Sequence, residues 1–257
     1  MFFCYLNFCS LNYDKNIYRH FARFHYRVVI IEQFFEGLRA IVREHDLLRH
    51  RYLQMAEQGK FSKDQIKAWA LQEYFVSLSF PRMMAAVVTK IPDVHEAAKY
   101  PLVKNTYEEL GADEGLKRSH PQLLRNLIRG LGGTEEELAK NKQNQGTKYY
   151  LDRLYEICLN RSFLEGLGAI GHGNEYLVIY EYGKFMKGMN LRGLLEPKFL
   201  EFFTVNIKAD VEHTAEIEKA MASFLTPETM PLIEESAREA LEARIPFYDD
   251  ICSQLGI

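Results

Sequence analysis

Cysteine is scarce in this chain: Cys4, Cys9, Cys158 and Cys252 are all there is, with no CxxC pair and no dense framework. That excludes a disulfide scaffold and a thiolate zinc site, and reads as unpaired thiols in a reducing, cytoplasmic setting. Long hydrophobic runs are also missing, so no stretch reads as a membrane span. Basic and acidic residues nearly balance, 32 against 35, and no basic block is present for a nucleic acid to follow. The dinucleotide, P-loop, GxSxG, HExxH and EF-hand patterns are absent, and β-alternation is almost absent.

What is present is helical periodicity. Ile30 to Gln58 reads as two helices meeting near His45–Leu48. Ser62 followed by Gln65 is a capping box opening a helix through Trp69 and Phe80, with Pro81 as a kink or a new first turn and Thr89 near its end. His95–Leu110 follows, with Pro101 as a kink or the true start, and a charged connection leads to a helix opened by Pro121. Thr134 opens another, Lys148–Glu165 reads as one helix, and GLGAIGHG as a small-residue break before NEYLVIYEYGKFMKGM. Lys198–Phe224 and a helix from Thr226 to Leu255 complete an all-α bundle of about seven to nine helices. Residues 1–29, aromatic and weakly periodic, read as an N-terminal extension or as sequence upstream of the true start. The fold pattern proper spans 30–257, and no function attaches to His20 or His25.

Chemistry concentrates on few residues. Asn206, Asp210 and His213 stand at i, i+4 and i+7 on one helix face. Glu109 and His120 flank the break at 110–119, and Glu175 sits in the small-residue segment, three residues after His172. Carboxylates with imidazoles suit Fe or Mn, and a bundle converges side chains from several helices. The same residues also fit a plainer reading: solvated helix-end charges at Glu108 and Glu109, a cap at His120, a surface pair of Asp210 with Lys208. Against it, an inward polar stripe beside Phe203 and Ile207 is costly unless ligated or hydrogen-bonded. Gln72 and Tyr74 are the candidate catalytic hydrogen-bonding groups, Tyr74 fitting a core or rim position equally well. Phe80, Met83, Met84, Phe185, Met186 and Met189 line an apolar cavity or simply pack the core. Cys158 lies in an apolar segment and reads as buried and inert.

Residues 48–87, with NTYEEL, SHPQLLRNLIRGLGGTEEEL, GLGAIGHGNEYLVIY and FFTVNIKADVEH, resemble the haem-oxygenase-like superfamily. That superfamily includes pyrroloquinoline-quinone synthase (PqqC) relatives, TenA-like proteins and the chlamydial protein that associates with death domains. The later segments are similar to its iron-containing redox enzymes, the haem-oxygenase-like diiron oxidases, over roughly residues 30–250. The resemblance implies metal ligands at Glu109, with Glu108 as the register alternative, at His120 and Glu175, and in an HxxxDxxH series matched by Asp210 and His213. Asn206 stands where that series has its first His. An amide oxygen donates less strongly to iron than imidazole, and an inward NH2 would repel the cation.

The implied function is an iron-dependent oxidoreductase that activates O2 to oxidise or cleave a small organic substrate: an amine, an amino-acid-like or a fatty molecule. One iron is expected to be firm and a second labile or absent. Relatives release amino-aromatic products, in some cases from a protein tyrosine. Three other readings stand beside it: cofactor-free oxidation as in the quinone-synthase relatives, TenA-like hydrolysis by an inward cysteine, and a helical interaction protein with a degenerate site. The expected partners are a small-molecule substrate and O2, with no nucleic acid and no membrane; an external reductant and a homodimer are left open.

Overall fold

The structure is a computed structural model that describes residues 15–112 and 117–257, with side chains from residue 29 onward. Residues 1–14 of the expected extension, and the side chains of His20 and His25, lie outside the described residues. The helices are α1 (Lys15–Glu44), α2 (Arg51–Glu57), α3 (Lys63–Lys90), α4 (Lys99–Glu109), α5 (His120–Gly130) and α6 (Glu135–Lys140). Next come α7 (Gln145–Tyr155), α8 (Phe163–Ile170), α9 (Tyr176–Arg192), α10 (Glu201–Ala222) and α11 (Met230–Leu255). No strand occurs among the described residues. A π turn over Gly171–Glu175 joins α8 to α9 as one helix, and with that counted, eight elements reach eleven residues or more. The short α2 and α6, both expected from the pattern, bring the helices among the described residues to ten, beside the expected seven to nine.

Local chemistry sets the helix ends. Gln65 N–H bonds Ser62 Oγ while the Gln65 side chain accepts from Ser62 N–H, the reciprocal pairing that starts α3. Pro81 is accommodated inside α3, which runs unbroken to Lys90. Pro101 marks the first turn of α4, where its missing N–H costs nothing. The expected single helix over Lys148–Glu165 is instead two. After a π turn at Glu156–Asn160 the chain breaks at Arg161, and Ser162 with Glu165 caps a new start.

GLGAIGHG, expected as a break, is helical throughout. Its glycines serve packing: a Cβ on Gly168 would lie 2.3 Å from the Ile233 carbonyl oxygen, so α8 sits directly on the α11 backbone. The last helix starts four residues later than expected, because Thr226 N–H donates to Thr229 Oγ1 at 2.8 Å and forms a turn ahead of it.

The core is apolar and aromatic. Trp69 of α3 stacks on Phe185 of α9 with ring centroids 4.0 Å apart, and Phe203 of α10 packs against both, 5.8 Å from Trp69 and 6.1 Å from Phe185. Met83, Met84, Phe185 and Met189 are buried core residues; of the six expected cavity residues, Phe80 lines the cavity beside the polar interior and the other five do not line that cavity. Above this core, α3, α4, α5, α9 and α10 surround a polar interior. No described helix is long and apolar enough to cross a membrane.

Candidate metal centre

Four elements bring the site together. Helix α4 ends with Glu108 and Glu109, and the chain must then return at once to deliver His120. Gly111 permits this: it takes φ 84°, and a Cβ there would lie 2.3 Å from Ser119 N. Ser119 then caps α5 in a reciprocal box with Gln122, placing His120 at the first position of the helix. Glu175 closes the π turn between α8 and α9, a local irregularity of the kind often found at functional sites. Asn206, Asp210 and His213 project inward from α10, all three buried.

Ligand atoms of Glu109, Glu175, Asp210 and His213 all lie within 4.8 Å of one another. His213 Nδ1 is 3.4 Å from Glu175 Oε2 and 3.5 Å from Asp210 Oδ1, while its Nε2 meets Glu108 Oε2 at 2.8 Å. Glu175 Oε1 accepts a hydrogen bond from Asn105 Nδ2 at 2.7 Å. His120 stands one step outward, its Nδ1 2.8 Å from Glu109 Oε1 at hydrogen-bond distance but without hydrogen-bond alignment. Asp210 Oδ2 is fully buried with no partner. Four of the six expected metal residues thus meet as a cluster with His120 beside it, and Glu108 is placed behind His213 rather than in the group of four.

Asn206 is arranged in a specific way. Its Nδ2 donates to the Phe202 carbonyl at 2.6 Å, one helical turn back, so the NH2 group is held away from the cluster. The carbonyl oxygen is left for the cavity that Asn206 lines together with Asp210, Glu109 and Glu175. The expected repulsion of a cation by an inward NH2 is therefore removed, although the donor is still weaker than imidazole.

The electrostatics follow from burial and proximity. Burial acts to raise Glu175, but the charge and hydrogen bonding of His213, with bonds from Asp210 and Asn105, leave its carboxyl below the usual range. Burial and the adjacent Glu175 charge push Asp210 well above it. Burial opposes charge on His213, yet Glu175 and Asp210 outweigh it and push the imidazole up to about 12. His120 is raised as well, burial being outweighed by Glu109. Burial and Glu175 thus favour the neutral form of the Asp210 carboxyl, while the flanking carboxylates favour the charged form of the His213 ring.

These donors suit the group the resemblance implied. Three carboxylates with imidazole nitrogens form an oxygen- and nitrogen-rich set fitting iron or manganese. An unpartnered buried carboxylate oxygen and an unaligned His–Glu approach are what donors directed at a common cation leave behind.

The cavity beside the cluster has a volume of about 30 Å³. That is room for one or two water-sized species and far below the roughly 300–1,000 Å³ of an organic ligand pocket. Its apolar walls are Val76, Phe80, Val178 and Phe202.

Gln72 and Tyr74, expected at the chemistry, do not line this cavity. The Gln72 side chain donates to the Lys142 carbonyl and accepts from Asn144 N–H and Thr147 Oγ1, fixing the connection before α7. Tyr74 is half-buried and accepts from Arg125 Nη2 at 2.8 Å. The residue between them, Glu73, faces inward instead. Tyr182 OH donates to Glu73 Oε1 at 3.0 Å, and Arg244 Nη2 binds Glu73 Oε2 at 2.6 Å and Glu181 Oε2 at 3.1 Å. Burial raises the Glu181 carboxyl, with the Arg244 charge opposing. Sequence reasoning missed this network. The signal was there: Glu73 lies in phase with Ile66, Trp69, Val76 and Phe80, a charge on the apolar stripe of α3.

His172 sits on the same π turn as Glu175 but points away, its Nε2 3.1 Å from Glu218 Oε1, which Arg39 binds in turn. Cys158 is buried and burial pushes its thiol up to about 12, so it is inert as expected; burial raises Cys252 too.

The family model described as iron-containing redox enzyme matches residues 67–245. A 4-aminobenzoate synthase from Chlamydia muridarum is 25% identical over 216 residues, covering 84% of this chain and 89% of that protein. Among solved structures, a CADD-like protein of unknown function from Nostoc punctiforme superposes with a TM-score of 0.75 at 19% identity, covering 88% of this chain and 98% of that one. A domain of unknown function with a heme oxygenase-like fold from Shewanella denitrificans gives a TM-score of 0.70 at 16% identity, covering 89% and 93%. The bundle is a haem-oxygenase-like fold.

Proposed function

The chain belongs to the iron-containing redox enzyme family, and from that premise we propose that it is an iron-dependent oxidase acting with O2 on a small organic substrate. The observation that carries this reading is the convergence of Glu109, Glu175, Asp210 and His213 within 4.8 Å around an unpartnered Asp210 oxygen. Glu109, Glu175, Asp210 and His213 would hold one ion firmly, and His120 with Asn206 Oδ1 would support a second, weaker position. Iron bound there would supply the electrons for dioxygen reduction.

The chain's own residues do the rest. Asn105 orients Glu175 through Oε1 and leaves Oε2 for the cluster. Glu108 fixes the His213 ring from behind, the outer-shell arrangement that holds a metal-binding imidazole in place. Val76, Phe80, Val178 and Phe202 would give a bound oxidant apolar surroundings on that side. Tyr182, with its hydroxyl proton held toward Glu73, forms the polar part of the opposite wall.

The cavity admits dioxygen but not an amine or an amino acid, so an external substrate requires the walls to part. The 4-aminobenzoate synthase relatives direct the product search to amino-aromatic acids. The small volume also favours a second reading, in which the oxidised group is a side chain already in the wall, Tyr182. Anaerobic Fe(II) loading followed by O2 exposure, with oxygen uptake and intact mass measured together, tests both. Sustained uptake with added substrate and unchanged protein mass supports the first reading. A single turnover with a mass change on Tyr182 supports the second, and no uptake by iron-loaded protein contradicts both.

A further inference from the structure

Glu175 is presented by a π turn, which holds one residue more than α geometry allows. Were the turn to relax into α-helix, Glu175 would rotate by about 100° relative to α8 and leave the cluster. Its surroundings must therefore over-determine it. Three side chains of the turn are tied to three different helices. Asn105 of α4 binds Glu175, Asn174 Nδ2 donates to Tyr150 OH of α7 at 2.8 Å, and His172 Nε2 meets Glu218 Oε1 of α10 at 3.1 Å. His172 is fully buried, yet its Nδ1 has no partner. An apolar residue of similar size would avoid that penalty, so the imidazole is accounted for by the bond its Nε2 makes.

Helix α1 closes over the same turn. The Phe35 ring stacks on His172 with centroids 6.3 Å apart and planes 8° from parallel. Arg39 grips Glu218 with two bonds, Nε to Oε1 at 3.0 Å and Nη2 to Oε2 at 2.5 Å. One helical turn on, Arg43 Nη1 donates to Tyr176 OH at 3.2 Å. Contacts from α1 thus fall at positions 172 and 176, on either side of Glu175. Burial acts to raise the Glu218 carboxyl, but His172 and Arg39 hold it below the usual range, so it stays an acceptor for both.

We propose that Arg39, Glu218 and His172 form a latch through which α1 fixes the π turn, making them positioning residues for Glu175; this rests on the cluster being a metal centre. Breaking the latch removes none of the cluster's donors and loosens only the turn that aims one of them.

Mn(II) titration calorimetry, with amide hydrogen exchange on the metal-free protein, tests this in His172→Leu and in Arg39→Met. Each variant is expected to bind Mn(II) about 10- to 100-fold more weakly. Amides of residues 171–176 should exchange at least about tenfold faster in both. His172→Gln, whose side-chain amide can donate to Glu218, should restore affinity and protection. Leu53→Ala truncates the buried core at α2 and should change neither, which separates a latch from general loosening. Should His172→Leu not fold, Arg39→Met decides, because that side chain is only half-buried. Folded variants with wild-type affinity and exchange overturn the proposal, as does a Leu53→Ala protein altered as much as they are. A wild-type protein that takes up no Mn(II) removes the metal centre, and the exchange of 171–176 then decides on the latch by itself.

Discussion

Asn206 Nδ2 donates to the carbonyl oxygen of Phe202 at 2.6 Å, and this one bond decides which end of the amide the metal centre meets. With the NH2 group committed to its own helix, the side chain offers an oxygen where the related ligand series has an imidazole nitrogen. The account therefore expects two unequal positions. Asn206→His should tighten the second ion at least about tenfold, and Asn206→Leu should abolish it while sparing the first. Isothermal titration with Mn(II), read as stoichiometry and stepwise affinity, checks this; a second site unchanged in both variants would remove Asn206 from the centre.

Protons take the place of metal charge in the free protein, so pH must act on both binding and stability. Loading displaces the Asp210 proton and the extra His213 proton, so apparent metal affinity should rise with pH, about tenfold per unit for each proton released. For stability the sign runs the other way. His213 is raised to about 12 in the fold, so its contribution is full below the unfolded value near 6.5 and is lost as pH climbs toward 12. Asp210, raised above 3.8, adds a loss in the same direction, while the lowered Glu175 matters only at acid pH. Thermal melts of metal-free protein between pH 6 and 9 should show Tm falling with pH, and metal-loaded protein should show less of it.

Arg244 is held between Glu73 and Glu181 in a fully buried triad, an arrangement whose charges are costly to take out of water. Arg244→Met leaves two carboxylates without their cation and should cost about 3–5 kcal/mol. Adding Glu73→Gln and Glu181→Gln should recover part of that loss, because the stranded charges go with it. Urea denaturation of the single and triple variants measures both numbers.

Gly111 carries the return of the chain from Glu109 to His120 at φ 84°. Gly111→Ala should disturb that return by pushing Ser119 away, lowering metal affinity about 10- to 100-fold as loss of a supporting contact does. The helical circular dichroism should change little. Unaltered affinity in this variant would place His120 outside the centre.

Much of this molecule is legible in sequence because it depends on local rules. The capping boxes at Ser62 and Thr134 and the prolines at 101 and 121 follow from spacing within one turn of helix, and the shared face of Asn206, Asp210 and His213 from spacing over two. Three features were not legible. GLGAIGHG looks like a break because glycine weakens an isolated helix, and only the approach of Ile233 and Ala240 from α11 makes it one. Gln72 and Tyr74 look chemical because of their functional groups, yet helix phase selects Glu73 between them. The Arg244 triad joins residues 63 and 171 positions apart, beyond any local pattern.

If α4, α10 and the π turn before α9 hold iron between them, anaerobic Fe(II) titration of the wild type beside His213→Ala, followed by metal analysis, will show it. One firmly held iron per wild-type chain is expected, with a second lost on dilution and little or none retained by His213→Ala. Equal iron content in the two proteins, with the same oxygen consumption, would contradict it.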